Sequence, residues 1–316
     1  MSKTVTIVVP MRNEEQNIAL LFSEFDKLRV ARPDLRWTFL FVNDGSTDRS
    51  AEMLAELADR EPACQVITLA RNFGHQCAST AGLDYADGDI ICLIDADLQD
   101  PPAVLLEMVA EIERGYNIVY GQRTQRDGES RFKRLTASGF YRLLAYLTDV
   151  EIPVDTGDFR AMDRKALDAV KGMREYHRFL RGMIAWVGYR TKAVKYVRAP
   201  RHRGQTNYSV GKMVRFALDA IFSFSAVPLK FAGYIGTTIA LGGLAGLIYI
   251  LAKLVFYRDY LPGVSAVLFA VLFIGGVQLI TLGIIGAYVG RIFEESKDRP
   301  LYIVDTTRNL GPNDQR

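Results

Sequence analysis

Residues 90–102 read IICLIDADLQDPP, and this stretch decides the fold that the rest of the sequence predicts. Five apolar residues lead directly into two carboxylates, Asp95 and Asp97, and the stretch closes with two prolines. Such a run is typical of a buried strand that ends shortly before a helix begins. Two carboxylates directly after a buried strand are costly without a partner, so the pattern favours a divalent cation as that partner.

The same alternation of strand and helix continues on both sides of this stretch. Strands are predicted at residues 5–9, 38–42, 65–69, 90–94 and 118–120, and helices near residues 14–28, 50–59, 78–85 and 103–113. This alternation indicates an α/β domain, Rossmann-like, with a mostly parallel sheet and helices on both faces. In such sheets, ligands bind at the carboxyl ends of the strands.

Polar side chains follow the first four predicted strands. Glu14 follows the first, Asp44 the second, Asn72 the third and the Asp-x-Asp pair the fourth. Four strands are therefore expected to deliver acidic or amide groups to one rim of the sheet.

Gln99 adds a neutral oxygen to the two carboxylates, a set that suits Mg²⁺ or Mn²⁺ on a diphosphate. The sequence contains no glycine-rich Walker loop, and no Gly-x-Gly-x-x-Gly follows the first strand. A diphosphate would thus be held by metal and side chains. The alternative interpretation is that an acidic residue of this stretch only caps the following helix.

Two long uncharged stretches, residues 231–252 and 261–290, follow the α/β domain. Each exceeds the ~20 residues that a transmembrane helix requires, although two buried core helices remain an alternative. We therefore predict a catalytic domain at residues 1–210, an amphipathic juxtamembrane helix at 211–228, two transmembrane helices within 229–293 and a cytoplasmic tail at 294–316. Nine of the glycines in the two spans would allow close helix packing, and a homo-oligomer is expected. They are Gly236, Gly242, Gly243, Gly246, Gly275, Gly276, Gly283, Gly286 and Gly290.

The charge distribution predicts the orientation in the membrane. Lysines and arginines precede the first span and follow the second, which places both outer ends in the cytoplasm. The N-terminus lacks the pattern of a signal peptide, so the catalytic domain is also expected in the cytoplasm. The protein is therefore expected to be a multi-pass protein of the inner (cytoplasmic) membrane. The net charge of +3 gives no indication of a nucleic-acid partner.

Six motifs are spread over the first 182 residues. They are VVPMRNEEQNI at 8–18, NDGSTD at 43–48, RNFG at 71–74, DADLQDPP at 95–102, GDFR at 157–160 and RFLRG at 178–182. In this order they resemble family 2 glycosyltransferases of the GT-A fold, in the branch that uses polyprenyl phosphate. That branch includes dolichyl-phosphate mannose synthases, bactoprenol glucosyltransferases and the aminoarabinose transferase, and the two-span tail is most similar to the bactoprenol group.

The resemblance implies a role for particular residues. The residues implied to line the nucleotide pocket or contact the donor diphosphate are Pro10, Glu14, Asp44, Asn72, Asp95 and Arg203. The implied metal ligands are Asp95, Asp97 and Gln99. The residues implied to act on the sugar or the lipid phosphate are Asp97, Asp158, Arg123, Arg134 and Ser138.

The implied reaction is the inverting transfer of a hexose, glucose from UDP-glucose, to undecaprenyl phosphate at the cytoplasmic membrane face. A phosphate acceptor is already ionised near pH 7, since its second pKa is about 6, so Asp158 is expected to orient its neighbours more than to act as a base. Alternatives are transfer of mannose from GDP-mannose or of aminoarabinose. A processive polysaccharide synthase is less favoured because no Gln-x-x-Arg-Trp element precedes Trp186, and an inactive scaffold is disfavoured by the intact Asp-x-Asp.

Overall fold

An eight-stranded sheet lies at the centre of the computed structural model, which describes residues 2–124, 156–198, 227–257 and 263–310. The strands are β1 Thr4–Met11, β2 Arg36–Asn43, β3 Cys64–Leu69, β4 Ile90–Leu93, β5 Ile118–Arg123, β6 Thr156–Asp163, β7 Thr191–Tyr196 and β8 Val304–Arg308. The helices are α1 Ile18–Ala31, α2 Ser50–Arg60, α3 His75–Tyr85, α4 Val104–Glu113, α5 Arg164–Gly172, α6 Leu180–Trp186, α7 Val227–Tyr257 and α8 Val264–Ser296.

The strand order is β7-β5-β6-β4-β1-β2-β3-β8. β1 pairs in parallel with β2 and β4, β2 with β3, and β5 with β7, whereas β6 and β8 run antiparallel to their neighbours. The predicted α/β class with a mostly parallel sheet is confirmed, and all five predicted strands are present. The sequence patterns missed β6, β7 and β8.

Each face of the sheet carries a hydrophobic core because the side chains of a strand alternate between its faces. Ile7 and Val9 of β1 pack in the core on one face, while Val8 packs in the core on the other. On the second face α3 approaches β1 very closely, since a Cβ on Gly82 would lie only 2.2 Å from Cγ1 of Val8. This close packing places the first residues of α3 at the carboxyl end of β1.

Two long helices, α7 and α8, correspond to the two predicted spans and contact each other. Among the residues that the structure describes, one helical segment, Phe273–Ser296, is long and apolar enough to cross a membrane, with a mean hydropathy of 1.7 and none of it buried. The second span stays a prediction. The predicted juxtamembrane helix lies outside the described residues, apart from the last two positions, which begin α7.

Nine of the glycines in the two predicted spans, from Gly236 to Gly290, are expected to permit close helix packing. Within the described chain, a Cβ added at any of them would meet no atom within 4 Å. Packing between subunits through these glycines, and with it a homo-oligomer, stays a prediction.

The predicted tail returns to the α/β domain. Its strand β8 pairs antiparallel with β3 and forms one edge of the sheet, and the amide of Ala70 donates a hydrogen bond of 2.9 Å to the carbonyl of Ile303. The side chain of Asn309 then donates to the carbonyls of Ala58 (2.7 Å) and Cys64 (2.9 Å). Along the chain, α7 and α8 thus lie between two strands of a single sheet. β7 precedes them and β8 follows them.

The pairing of β8 with β3 predicts a specific cross-link. Thr68 and Thr306 lie directly opposite each other in the ladder, where Cβ atoms approach to about 4.5–5.5 Å. Under mild oxidation, a Thr68→Cys/Thr306→Cys variant should form a disulfide that changes its mobility on a gel. The control is Thr68→Cys/Thr307→Cys, because residue 307 points to the opposite face of the strand and should cross-link poorly. Equal cross-linking of both variants would contradict the register.

Candidate active site

A cleft of about 670 Å³ opens at the carboxyl ends of the central strands. It brings together nine of the residues singled out from the sequence: Pro10, Glu14, Asp44, Asn72, Asp95, Asp97, Gln99, Arg123 and Asp158. Three others, Arg134, Ser138 and Arg203, lie outside the described residues. The cleft also contains side chains that the sequence analysis did not select for the site, among them His75, Arg181 and Arg198.

The turns after β2 and β3 form one edge of the cleft and are fastened by Asp44. Its carboxylate accepts hydrogen bonds from the amides of Phe73 (2.7 Å) and Gly74 (3.0 Å). Gly45 has a φ of +59°, and a Cβ there would lie 2.6 Å from the backbone of Arg71. Only glycine therefore lets these turns meet so closely. Asp44 is 3% exposed, and its carboxylate binds the backbone amides of Phe73 and Gly74.

Asp95 is the strongest candidate for a cation ligand. Its Oδ1 atom is buried and accepts no hydrogen bond from the described residues, and the nearest cationic atom is Nε2 of His75 at 3.5 Å. Burial, together with the charges of Asp158, Asp97 and Asp100 and against the opposing effect of His75, raises the pKa of Asp95 to about 6. A cation at this position would stabilise the ionised form of Asp95.

The residues fit a metal that is completed by a ligand. Within the described ranges, no group of three or more His, Cys, Asp and Glu side chains is arranged to hold an ion. Asp95 and Asp97 with Gln99 would therefore need further oxygens, and Mg²⁺ is commonly held by one or two carboxylates together with phosphates. The structure gives no support to the capping alternative, because α4 begins at Val104 and its N-cap residue, Ala103, makes no side-chain hydrogen bond to the helix.

Asp158, at the start of β6, joins the two helices that border the cleft. Its carboxylate is 4% exposed and accepts hydrogen bonds from Arg181 (2.8 and 3.2 Å), while His75 lies at 3.2 Å and Gln76 at 3.5 Å. Burial alone would raise its pKa, but Arg181 and His75 hold the pKa of Asp158 well below its usual range. Asp158 is therefore a poor proton acceptor and a strong anchor for these cations.

His75 is the first residue of α3 and was not predicted as a site residue. Burial lowers its pKa, but the hydrogen bond to Asp158 and the charges of Asp95 and Asp158 outweigh this and raise the pKa of His75 to about 9. The side chain is thus protonated at pH 7. Its position directly after the RNFG motif was the signal that could have revealed it.

A second buried carboxylate, Asp100, gathers basic side chains that line the cleft. Asp100 is wholly buried and accepts a hydrogen bond from the hydroxyl of Tyr196. The guanidinium of Arg198 lies 3.3 Å and that of Arg123 lies 3.7 Å from the same carboxylate, and Arg123 also donates to Tyr196 (3.2 Å). A Cβ on Gly157 would lie 2.6 Å from Arg123, so the glycine leaves room for this guanidinium.

Comparison with known proteins shows that the chain is similar to glycosyltransferases. The sequence model of glycosyl transferase family 2 matches residues 6–171. The uncharacterised glycosyltransferase YkcC of Bacillus subtilis strain 168 is 46% identical over 96% of this chain and 94% of its own length. The bactoprenol glucosyl transferase of Shigella phage SfV is 38% identical over 95% of this chain and 97% of its own. A solved mycobacterial protein, 21% identical, shares the fold over 70% of this chain and 74% of its own, with a TM-score of 0.50.

The contact between Asp158 and His75 predicts a change in titration. The Asp158→Asn substitution removes the carboxylate that favours the protonated imidazole, so the pKa of His75 should fall from about 9 toward its ordinary value of 6.5. The measurement is an NMR titration of the histidine ring signals in the metal-free protein. The chain has three histidines, and His75→Gln assigns the signal. An unchanged pKa in Asp158→Asn would show that this contact does not control the imidazole.

Proposed function

Because the chain belongs to glycosyl transferase family 2, we propose that it transfers glucose from UDP-glucose to undecaprenyl phosphate at the cytoplasmic face of a membrane. The observation that carries this proposal is the division of the cleft. The cleft is lined by carboxylates at the end of β4, here called the carboxylate wall, and by the guanidinium groups of Arg123, Arg181 and Arg198 from β5, α6 and the residues after β7, here called the basic wall. Such a site suits a metal-bound diphosphate on one side and a phosphate anion on the other.

The donor belongs at the carboxylate wall. There Asp95, Asp97 and Gln99 would hold Mg²⁺ or Mn²⁺, and Glu14 and Asn72 would border the nucleotide at the ends of β1 and β3. When bound, the ion would stabilise the negative charge that develops on the leaving nucleoside diphosphate. The protein contributes by fixing the two carboxylates in one turn, where the amide of Gln99 donates to Asp97 at 3.1 Å.

The acceptor belongs at the basic wall. A phosphate monoester is already ionised near pH 7, because its second pKa is about 6, and it needs no general base to attack the sugar. Arg123 would attract this anion, and Asp158 would orient Arg181 and His75 rather than remove a proton, in keeping with its depressed pKa. In-line attack from the face opposite the diphosphate would invert the configuration at the anomeric carbon.

The relatives support both the sugar and the acceptor. The glucosyl transferase of phage SfV is named for bactoprenol and matches nearly the whole of this chain, including the C-terminal helices. A relative from Escherichia coli K12, named as a prophage bactoprenol glucosyl transferase homologue, is 36% identical over 95% of this chain and 98% of its own. A mannose or aminoarabinose donor would be a different outcome of the assay below.

The sheet supports a topology with two spans. β7 lies before α7 and β8 lies after α8, and both strands belong to one sheet. A chain that leaves a domain and returns to it must cross a bilayer an even number of times. If Phe273–Ser296 crosses the membrane, a second crossing is required. α7 has 31 residues, about 46 Å of helix, which is long enough to provide it.

The proposed reaction is tested by incubating the purified protein with a panel of nucleotide sugars and undecaprenyl phosphate. We expect UDP-glucose with Mg²⁺ or Mn²⁺ to give a glucosyl phospholipid that mass spectrometry identifies. Asp97→Asn should reduce the rate more than about a hundredfold, since metal stabilisation of charge is worth several kcal/mol. The matched control is Asp168→Asn on α5, which is 61% exposed and should remain active. A product with another sugar, or none with a lipid phosphate, would refute the proposal.

The basic wall predicts separate effects on the two substrates. Arg123→Ala should raise the apparent KM for the lipid phosphate about ten- to a hundredfold, because a charge-assisted hydrogen bond contributes about 1.5–3 kcal/mol. The affinity for UDP-glucose, measured by calorimetry, should stay within about twofold. A thermal melt monitors folding, since the substitution leaves the buried Asp100 with fewer partners. If donor affinity falls and acceptor KM does not, Arg123 belongs to the diphosphate site.

A further inference from the structure

The end of the long helix α8 is attached to the catalytic domain by two consecutive carboxylates. Oε2 of Glu294 lies 2.6 Å from Nε2 of His177, and Oε2 of Glu295 accepts a hydrogen bond of 3.0 Å from the amide of Tyr176. These glutamates lie in the last turn of α8, at the C-terminal end of the segment Phe273–Ser296 that is long and apolar enough to cross a membrane. The loop that contains Tyr176 and His177 is therefore tied to the end of that segment.

This loop leads directly into the cleft. Four residues after His177 comes Arg181, which pairs with the buried Asp158. The amide of Leu180, which begins α6, donates a hydrogen bond of 3.0 Å to the side chain of Gln76, whose own amide lies 3.5 Å from Asp158. A few residues thus separate the glutamates of α8 from a guanidinium in the candidate active site.

The chain after α8 makes a second attachment to the same part of the domain. The hydroxyl of Tyr302 donates to Asp84 at 2.9 Å, and Asp84 also accepts from Arg174 at 2.8 Å. Asp84 lies in the last turn of α3, the helix that begins with His75. Two residues beyond Tyr302, β8 joins the edge of the sheet.

The glutamate contacts are partly exposed and stabilise the fold little, because water and salt screen exposed ion pairs. Their position gives them a different significance. They join the last turn of α8 to the loop before α6, whereas β8 is attached separately, by its pairing with β3. A loss of these contacts should therefore change orientation more than stability.

We propose that Glu294 and Glu295 are positioning residues that hold the cleft in a fixed orientation against the bilayer, so that a membrane-embedded lipid phosphate reaches the basic wall. This inference rests on the proposed transfer to a polyprenyl phosphate. Its consequence is a distinction between acceptors. An acceptor held in a bilayer needs the fixed orientation, whereas a water-soluble acceptor of the same chemistry can enter the cleft from any direction.

The test compares two variants with matched controls. One variant is Glu294→Ala/Glu295→Ala. The other inserts the six residues Gly-Ser-Gly-Ser-Gly-Ser after Asp298, which leaves β8 in place but loosens its connection to α8. The controls are Glu52→Ala/Glu56→Ala on the exposed surface of α2 and the same six residues added after Arg316. Each protein is assayed with undecaprenyl phosphate in vesicles and with a short-chain isoprenyl phosphate that dissolves in water.

We expect both variants to lose about ten- to a hundredfold of the rate with the vesicle-bound acceptor, a size typical of misplaced reacting groups. Their rate with the soluble acceptor and their affinity for UDP-glucose should match those of the controls. Hydrogen exchange of the amides of residues 176–182 in lipid nanodiscs should also become faster in the glutamate variant, which is a readout independent of turnover.

Three results would overturn the inference. The variants could match the controls in their rate with the vesicle-bound acceptor. They could lose as much rate with the soluble acceptor as with the vesicle-bound one, or the hydrogen exchange of residues 176–182 could stay unchanged in the glutamate variant. Failure of the unmodified protein to use either isoprenyl phosphate would instead refute the proposed function, while the exchange measurement would still decide whether α8 holds this loop.

Discussion

The carboxylate of Asp158 sets the arrangement on which the cleft depends, because it is nearly inaccessible to water and carries a charge. A buried carboxylate costs several kcal/mol unless nearby cations and hydrogen bonds compensate it. Here the compensation comes from Arg181 near the start of α6 and from His75 and Gln76 at the start of α3. One buried charge therefore aligns two helices with the end of the sheet and turns their polar residues toward a common point.

A second buried carboxylate, that of Asp100, organises the basic wall in the same way. It lies five residues after Asp95, yet it points into the protein interior, where Tyr196, Arg123 and Arg198 surround it. The single turn after β4 thus supplies carboxylates to the cleft and a buried carboxylate that gathers guanidinium groups beside it. The negative and positive walls are linked through this turn, which suits a reaction that brings two phosphate-bearing substrates together.

The sequence by itself determined the central architecture and much of the cleft. Alternating apolar runs and helical stretches were sufficient for β1 to β5 and α1 to α4, because these patterns are local. The polar residues at the strand ends followed from the same reasoning, since parallel strands open their carboxyl ends at one edge. Six residues selected in this way line one cleft, namely Glu14, Asp44, Asn72, Asp95, Asp97 and Gln99, and the family resemblance added Pro10, Arg123 and Asp158. The two long apolar stretches near the C-terminus could also be recognised from their composition.

Only the tertiary structure decided which distant residues become partners. β8 reads VDTTR and is polar, so its place in the sheet depends on pairing with β3 rather than on its own pattern. Asp100 and Tyr196 are separated by 96 positions in the chain, and His75 and Asp158 by 83. Hydrogen bonds and ion pairs at such separations arise from the packing of strands and helices, and no local periodicity in the sequence encodes them.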